Sequence, residues 1–131
     1  MVRAPVVTVL FVAFLSGCAS GLGRPVVSMD AVPDAAGVQR VDLDLHSYYF
    51  KPNRIVVKTG RPVELTIRNR SIFIPHNFTI ADEALNVEAD KWGIGSRHVR
   101  FTAPAPGEYR FFCHVDAHGK KGMAGTLVVV R

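Results

Sequence analysis

The chain has 131 residues, 16 Lys plus Arg against 11 Asp plus Glu, 48% hydrophobic residues and two cysteines. That length fits one domain of roughly 100–200 residues and leaves little room for a multidomain enzyme, while 21% charged and 9% aromatic residues suit a buried core and exclude wholesale disorder. Two cysteines cannot build the bridge framework of small secreted domains, and a net charge of +5 fits solubility, an acidic partner or a membrane surface without choosing among them.

The N-terminus reads as an export signal. Met1-Val2-Arg3 supplies a short positive start, Ala4 to Leu15 is apolar, and Leu15-Ser16-Gly17-Cys18 follows. The apolar run is too short to span a bilayer, which takes roughly 20 residues as a helix, so residues 1–17 are assigned to a cleaved signal. The Leu-Ser-Gly-Cys end resembles the lipobox of bacterial lipoproteins, which implies acylation of Cys18, anchoring to a membrane and a periplasmic or cell-envelope location. The alternative is ordinary cleavage with Cys18 incidental. Residues 18–38 hold Gly, Pro, Ala and Ser without a sustained period and are expected to form a flexible tether, with an r.m.s. span of roughly 25 Å for about 20 residues.

From residue 39 to 131 the pattern is short strands and turns. Val41, Leu43 and Leu45 alternate with Asp42, Asp44 and His46, the period of a strand with one buried face. Phe50-Lys51-Pro52-Asn53 reads as a turn, Ile55 to Val57 as a strand, Thr59 to Pro62 as a turn, and Val63, Leu65 and Ile67 as the inward residues of a third strand. His76 to Ile80 follows. Residues 81–95 are ambiguous, with a short helix possible over Asp82 to Val87. Further strands are expected around Val99 and Phe101, over Glu108 to Cys113 and over Thr126 to Val130. Seven or eight strands with so little helix predict an all-β protein, an antiparallel β-sandwich or small barrel.

Candidate chemistry gathers near the C-terminus. Strand alternation places Tyr109, Phe111 and Cys113 on one face and Arg110, Phe112 and His114 on the other. Four residues separate Cys113 from His118, and four more separate His118 from Met123. Thiolate, imidazole and thioether in one short loop form a soft donor set suited to copper more than to calcium or magnesium. A mononuclear copper site of this kind needs a second histidine. His76 is the best candidate, because it begins a strand after Pro75, whereas His46 and His98 alternate with apolar residues and His114 should face away from Cys113. Taken singly, each residue has a plainer reading: a buried cysteine as a small hydrophobe, a loop histidine, a core methionine.

In this order and spacing the residues resemble those of the cupredoxins, the small blue-copper electron carriers. The resemblance runs from about Val41 to Arg131 and is strongest over Tyr109 to Val129, where the Cys113, His118 and Met123 spacing is similar to that of auracyanin and rusticyanin. It implies a Greek-key sandwich and one type 1 copper held by His76, Cys113, His118 and Met123. It also implies that Asn77 ties the two ligand loops together and that electrons pass through the edge of His118. His114 departs from the pattern, since many relatives carry a small or hydroxyl residue there. The function so implied is electron transfer by a Cu(II)/Cu(I) couple, without enzymatic activity, in a monomer that meets redox proteins such as a cytochrome, oxidase or reductase. Lys120 and Lys121 would favour an acidic partner, and the run Ile72-Phe73-Ile74-Pro75 is either a patch beside the site or a buried strand. Two other functions are open: a copper carrier or chaperone, and an oxidoreductase with a second copper at His46, His98 and His114. Scattered basic residues and the export signal give nucleic-acid binding no support.

Overall fold

The computed structural model describes residues 23–131. Ten strands form two sheets: β1 (Ser28–Asp30), β2 (Gln39–His46), β3 (Tyr49–Lys51), β4 (Arg54–Lys58), β5 (Pro62–Asn69), β6 (His76–Ile80), β7 (Val87–Trp92), β8 (Gly95–Thr102), β9 (Gly107–Phe112) and β10 (Ala124–Val130). One sheet has the order β1-β4-β10-β9-β6-β7 and the other β3-β2-β5-β8. The all-β sandwich is as expected, but it is not purely antiparallel: β1 with β4, β4 with β10, and β2 with β5 run parallel. The additional strands are the short β1 and β3, and β7 in the ambiguous stretch.

The period-2 patterns behave as half-buried strands should. Val41, Leu43 and Leu45 of β2 and Val63, Leu65 and Ile67 of β5 point inward, while the residues between them stay partly or fully exposed. Phe50, Phe78 and Phe111 cross between the sheets as a trio, with Phe50 edge-on to the other two at ring separations of 6.1 and 5.1 Å. Burying each such side chain contributes roughly 1.5–3 kcal/mol. Gln39, fully buried at the start of β2, joins the sheets by accepting from the Lys58 N–H at 2.6 Å and donating to the Lys58 carbonyl at 3.0 Å.

Three sequence expectations need correction. The stretch 18–38 is not a tether throughout. Its described part, 23–38, contains β1, buried Ala31 and Val38, and a bridge between Pro33 and Gln39. The Asn53 side chain also fastens it, accepting from the Val27 N–H and donating to the Pro25 carbonyl. Cys18 and the signal segment lie outside the described residues. The helix considered over Asp82 to Val87 is a single turn, because Asp82 Oδ1 takes the Ala84 N–H and its carbonyl takes those of Leu85 and Asn86. Asn86 then adopts a left-handed φ of 40° just before β7. Finally, Tyr49 to Lys51 is the return strand of a hairpin, with Leu45 opposite Phe50.

β2 and β5 run in parallel toward the same end of the sandwich, where Leu45 stands beside Asn69. At that pole the Ser47-Tyr48 turn, the loop 70–75 and the loop 113–123 meet. Arg24 is there too, its guanidinium 4.1 Å from the centre of the Tyr49 ring, and Gly23 and Arg24 line one cleft with Lys121 and Gly122.

Candidate metal centre

Three of the four candidate donors sit where a strand begins or ends. His76 opens β6, Cys113 directly follows β9, and Met123 directly precedes β10. His118 caps a one-turn 3-10 helix, Gly119–Lys121. Backbone hydrogen bonds close the loop between them: Cys113 N–H to the Met123 carbonyl, Met123 N–H to the His118 carbonyl, and His118 N–H to the Val115 carbonyl, all 3.0–3.1 Å. Gly122 makes the reversal possible with φ 87°, in the left-handed region that favours glycine.

Between β6 and β9 the ladder gives way to side chains. The strands pair only at Thr79 and Phe112, and that register would set Asn77 opposite His114. There the Asn77 side chain replaces the backbone: its Oδ1 accepts from the His114 N–H at 2.8 Å and its Nδ2 donates to Thr79 Oγ1 at 3.1 Å. The Asn77 backbone N–H points at Cys113 Sγ, 3.5 Å away. Asn77 thus joins the strand carrying His76 to the loop carrying Cys113.

His76, Cys113 and His118 converge in one buried group, their donor atoms all within 4.8 Å of one another. Cys113 Sγ lies 3.9 Å from His76 Nδ1 and 3.6 Å from His118 Nδ1. Nitrogen and sulfur donors hold ions such as zinc at about 2.0–2.3 Å, so two donors of one ion must stand within about 4.4 Å. Both distances pass. The set of two imidazoles and one thiol suits copper or zinc and is poor for hard cations. Met123 is fully buried beside the loop, its backbone tied to both Cys113 and His118.

Electrostatics keep the imidazoles in the form that binds metal. Burial pushes His76 down to about 4, with the charges of His118 and His46 adding to the effect. His118 is also lowered, first by burial; Asp116 opposes this and Lys121 reinforces it. The unfolded chain, with histidine near 6.5, takes up a proton that folded His76 refuses. The stability of the metal-free protein should therefore be fully present above about pH 6.5, fall on acidification, and level off below about pH 4, by on the order of 3 kcal/mol from His76. Denaturant titrations across that window should show the slope, and His76→Gln should flatten it. An equally steep profile in the variant would assign the slope to other groups.

The other histidines stay apart from this group. His114 faces outward and meets Glu88 at 2.9 Å, His46 stacks on Tyr49 with ring centres 4.6 Å apart, and exposed His98 lies beside Thr66. Among the described residues none of the three joins a cluster of metal donors, so nothing favours a second copper there. Ile72 and Phe73 are 69% and 92% exposed, which makes their run a surface loop and not a buried strand.

Two neighbours of the centre carry no sequence signal. Tyr48, at φ 83° in a region unfavourable to bulky residues, sets its ring edge-to-face with His118 at 4.9 Å, and Lys121 Nζ lies 4.0 Å over the same ring. His118 is consequently only 5% exposed. Ser71, in the loop before β6, places its Oγ 3.1 Å from His76 Nε2.

Residues 6–129 match the family model described as a cupredoxin-like domain. The chain belongs to that family. Its curated relatives include cytochrome c oxidase subunit 2 of Thermus thermophilus, 31% identical over 84 residues that make up 63% of this chain and 59% of the relative. The chain therefore spans well under two thirds of that relative's length. Among solved structures, dithionite-reduced auracyanin from Roseiflexus castenholzii is 25% identical with a TM-score of 0.65, covering 70% of this cupredoxin and 97% of auracyanin. The metal-binding domain of a Cu(I)-exporting P-type ATPase from Streptococcus pneumoniae has a TM-score of 0.66 at 20% identity, covering 82% and 100%. That second likeness is one of fold alone.

Proposed function

We propose that this cupredoxin is an electron carrier in which His76 Nδ1, Cys113 Sγ and His118 Nδ1 would hold one copper ion, with Met123 as a further candidate donor. The convergence of those three donors in a buried pocket, with both Nδ1 atoms turned to the thiol, carries the reading. Copper supplies a one-electron couple, and the chain supplies a fixed donor set. The closed 113–123 loop and the Asn77 bridge resist rearrangement of the ligands, and the Asn77 N–H withdraws charge from the thiolate. One ion is proposed because Cys113 is the sole cysteine after Cys18, and a centre bridged by two thiolates needs a second.

Exposed Lys120 and Lys121 on the ligand loop favour an acidic redox partner, whose association would weaken with salt. A lipid on Cys18 would hold the protein at a membrane on the cell-envelope side. Copper delivery is the second reading, and the burial of Cys113, His76 and His118 disfavours it, since hand-over requires an incoming ligand to reach the ion.

The test adds Cu(II) to the chain beginning at Ser20, which retains every strand and core residue described. An intense visible thiolate band should appear and be lost in Cys113→Ser. A wild type without the band sinks the assignment. Reversible reduction with the copper retained fits a carrier, whereas ready loss to a chelator would favour delivery.

A further inference from the structure

We infer that Ser71 is a positioning residue for the first histidine ligand, fixing the His76 tautomer that leaves Nδ1 free to bind metal. This rests on the proposed copper centre only for the use to which the tautomer is put. The placement of His76 between Cys113 and Ser71 stands on the chain itself, and the need for a bare Nδ1 sets the direction of the bond.

A neutral imidazole carries one N–H and one bare nitrogen, and the partner of one nitrogen decides the state of the other. His76 has Nδ1 facing Cys113 Sγ and Nε2 facing Ser71 Oγ. Ser71 is 7% exposed and His76 fully buried, so water does not compete freely at either nitrogen. With the hydrogen on Nε2, the ring donates to Ser71 Oγ and Nδ1 presents its lone pair to the thiol. With the hydrogen on Nδ1, that nitrogen could not bind an ion at all.

The neighbours of Ser71 accommodate the first arrangement. Accepting from His76 leaves the Ser71 hydroxyl hydrogen to be given elsewhere, and Ser47 Oγ stands 3.2 Å away, where either hydroxyl can donate. The chain of bonds runs from His76 through Ser71 to Ser47 at the exposed turn beside Tyr48. Ser71 is itself held firmly. Its backbone N–H donates to Asn69 Oδ1 at 2.8 Å, while Asn69 Nδ2 donates to the carbonyls of Ile74 and Trp92 at 3.1 Å each. Asn69 thereby staples both ends of the short loop that presents the hydroxyl. Partners beyond the first ligands orient them and raise their basicity, and their removal typically weakens metal binding 10–100-fold.

Long-range ¹H–¹⁵N NMR of the metal-free chain from Ser20 at neutral pH reads the tautomer directly. In the wild type His76 should be protonated at Nε2 and bare at Nδ1. Ser71→Ala should lower the ratio of that tautomer to the other by about fivefold, the equilibrium factor of one ordinary hydrogen bond, and Ser71→Thr should restore it. Copper competition against a chelator should then show affinity reduced about tenfold or more in the alanine variant and recovered in the threonine variant, with the reduction potential displaced in the same pattern. A wild-type His76 protonated at Nδ1, or a ratio unchanged by Ser71→Ala, overturns the inference even if copper binds. A correct tautomer pattern in a protein that forms no thiolate band retains Ser71 as the tautomer-setting residue and overturns the copper centre instead.

Discussion

Phe111→Ala should lower the free energy of unfolding by about 3–5 kcal/mol, the range for emptying a large aromatic site in a packed core. Phe111 is fully buried, edge-on to Phe50 at 5.1 Å and tilted against Phe78 at 5.5 Å. Its ring also occupies the space beside Gly125: a Cβ built there would overlap the ring and lie 2.6 Å from the Asn53 carbonyl oxygen. Backbone from β10 and the segment before β4 thus close around the ring, and backbone cannot readily collapse into the cavity that alanine leaves. Since domains are stable by roughly 5–15 kcal/mol in total, the variant should lose at least about a fifth of its stability. Denaturant unfolding at neutral pH measures it. A loss below about 1 kcal/mol would mean that the sheets close over the gap.

Asn77→Ala should act on the centre as well as on the fold. It deletes the acceptor of the His114 N–H and the donor to Thr79 Oγ1, costing about 1–3 kcal/mol for polar groups left without partners. A comparable effect falls on metal retention, which should weaken by about 10–100-fold, as when an outer partner of a metal ligand is lost. Where β6 and β9 cease to pair, the Asn77 side chain holds the His114 N–H, beside the contact of the Asn77 N–H with Cys113 Sγ. Competition against a chelator reads the affinity, and unfolding of the metal-free variant reads the stability separately. Equal metal affinity in the two proteins would show that the loop 113–123 fixes Cys113 without help from β6.

The core was legible in the sequence because alternation is a local signal. The inward residues of β2 and β5 stand out at period 2, and the ligand spacing of Cys113, His118 and Met123 is contained within eleven consecutive positions. What escaped depends on distant partners. β1 is three residues whose strand character comes from β4 beside it, and β3 lies in a stretch that Pro52 and Asn53 mark as a turn. Asn77 could be named through its place next to His76 in a known pattern, but its match to His114 follows from a register that only the paired strands define. Ser71 and Tyr48 have ordinary loop contexts, and their roles arise from the meeting of three loops that are far apart in the chain.

The stacking of Arg24 on Tyr49, at the same pole as the metal donors, bears on how far the protein can roam. Six peptide links separate Cys18 from Arg24, a reach of at most about 20 Å when fully stretched. With an acyl chain on Cys18, the leash would be that short and would attach beside the centre, not at the opposite end of the sandwich. The electron-exchanging face would then look sideways or down along the bilayer. Were the proposed anchor in place, a redox partner on the same membrane surface would be met by lateral diffusion in two dimensions.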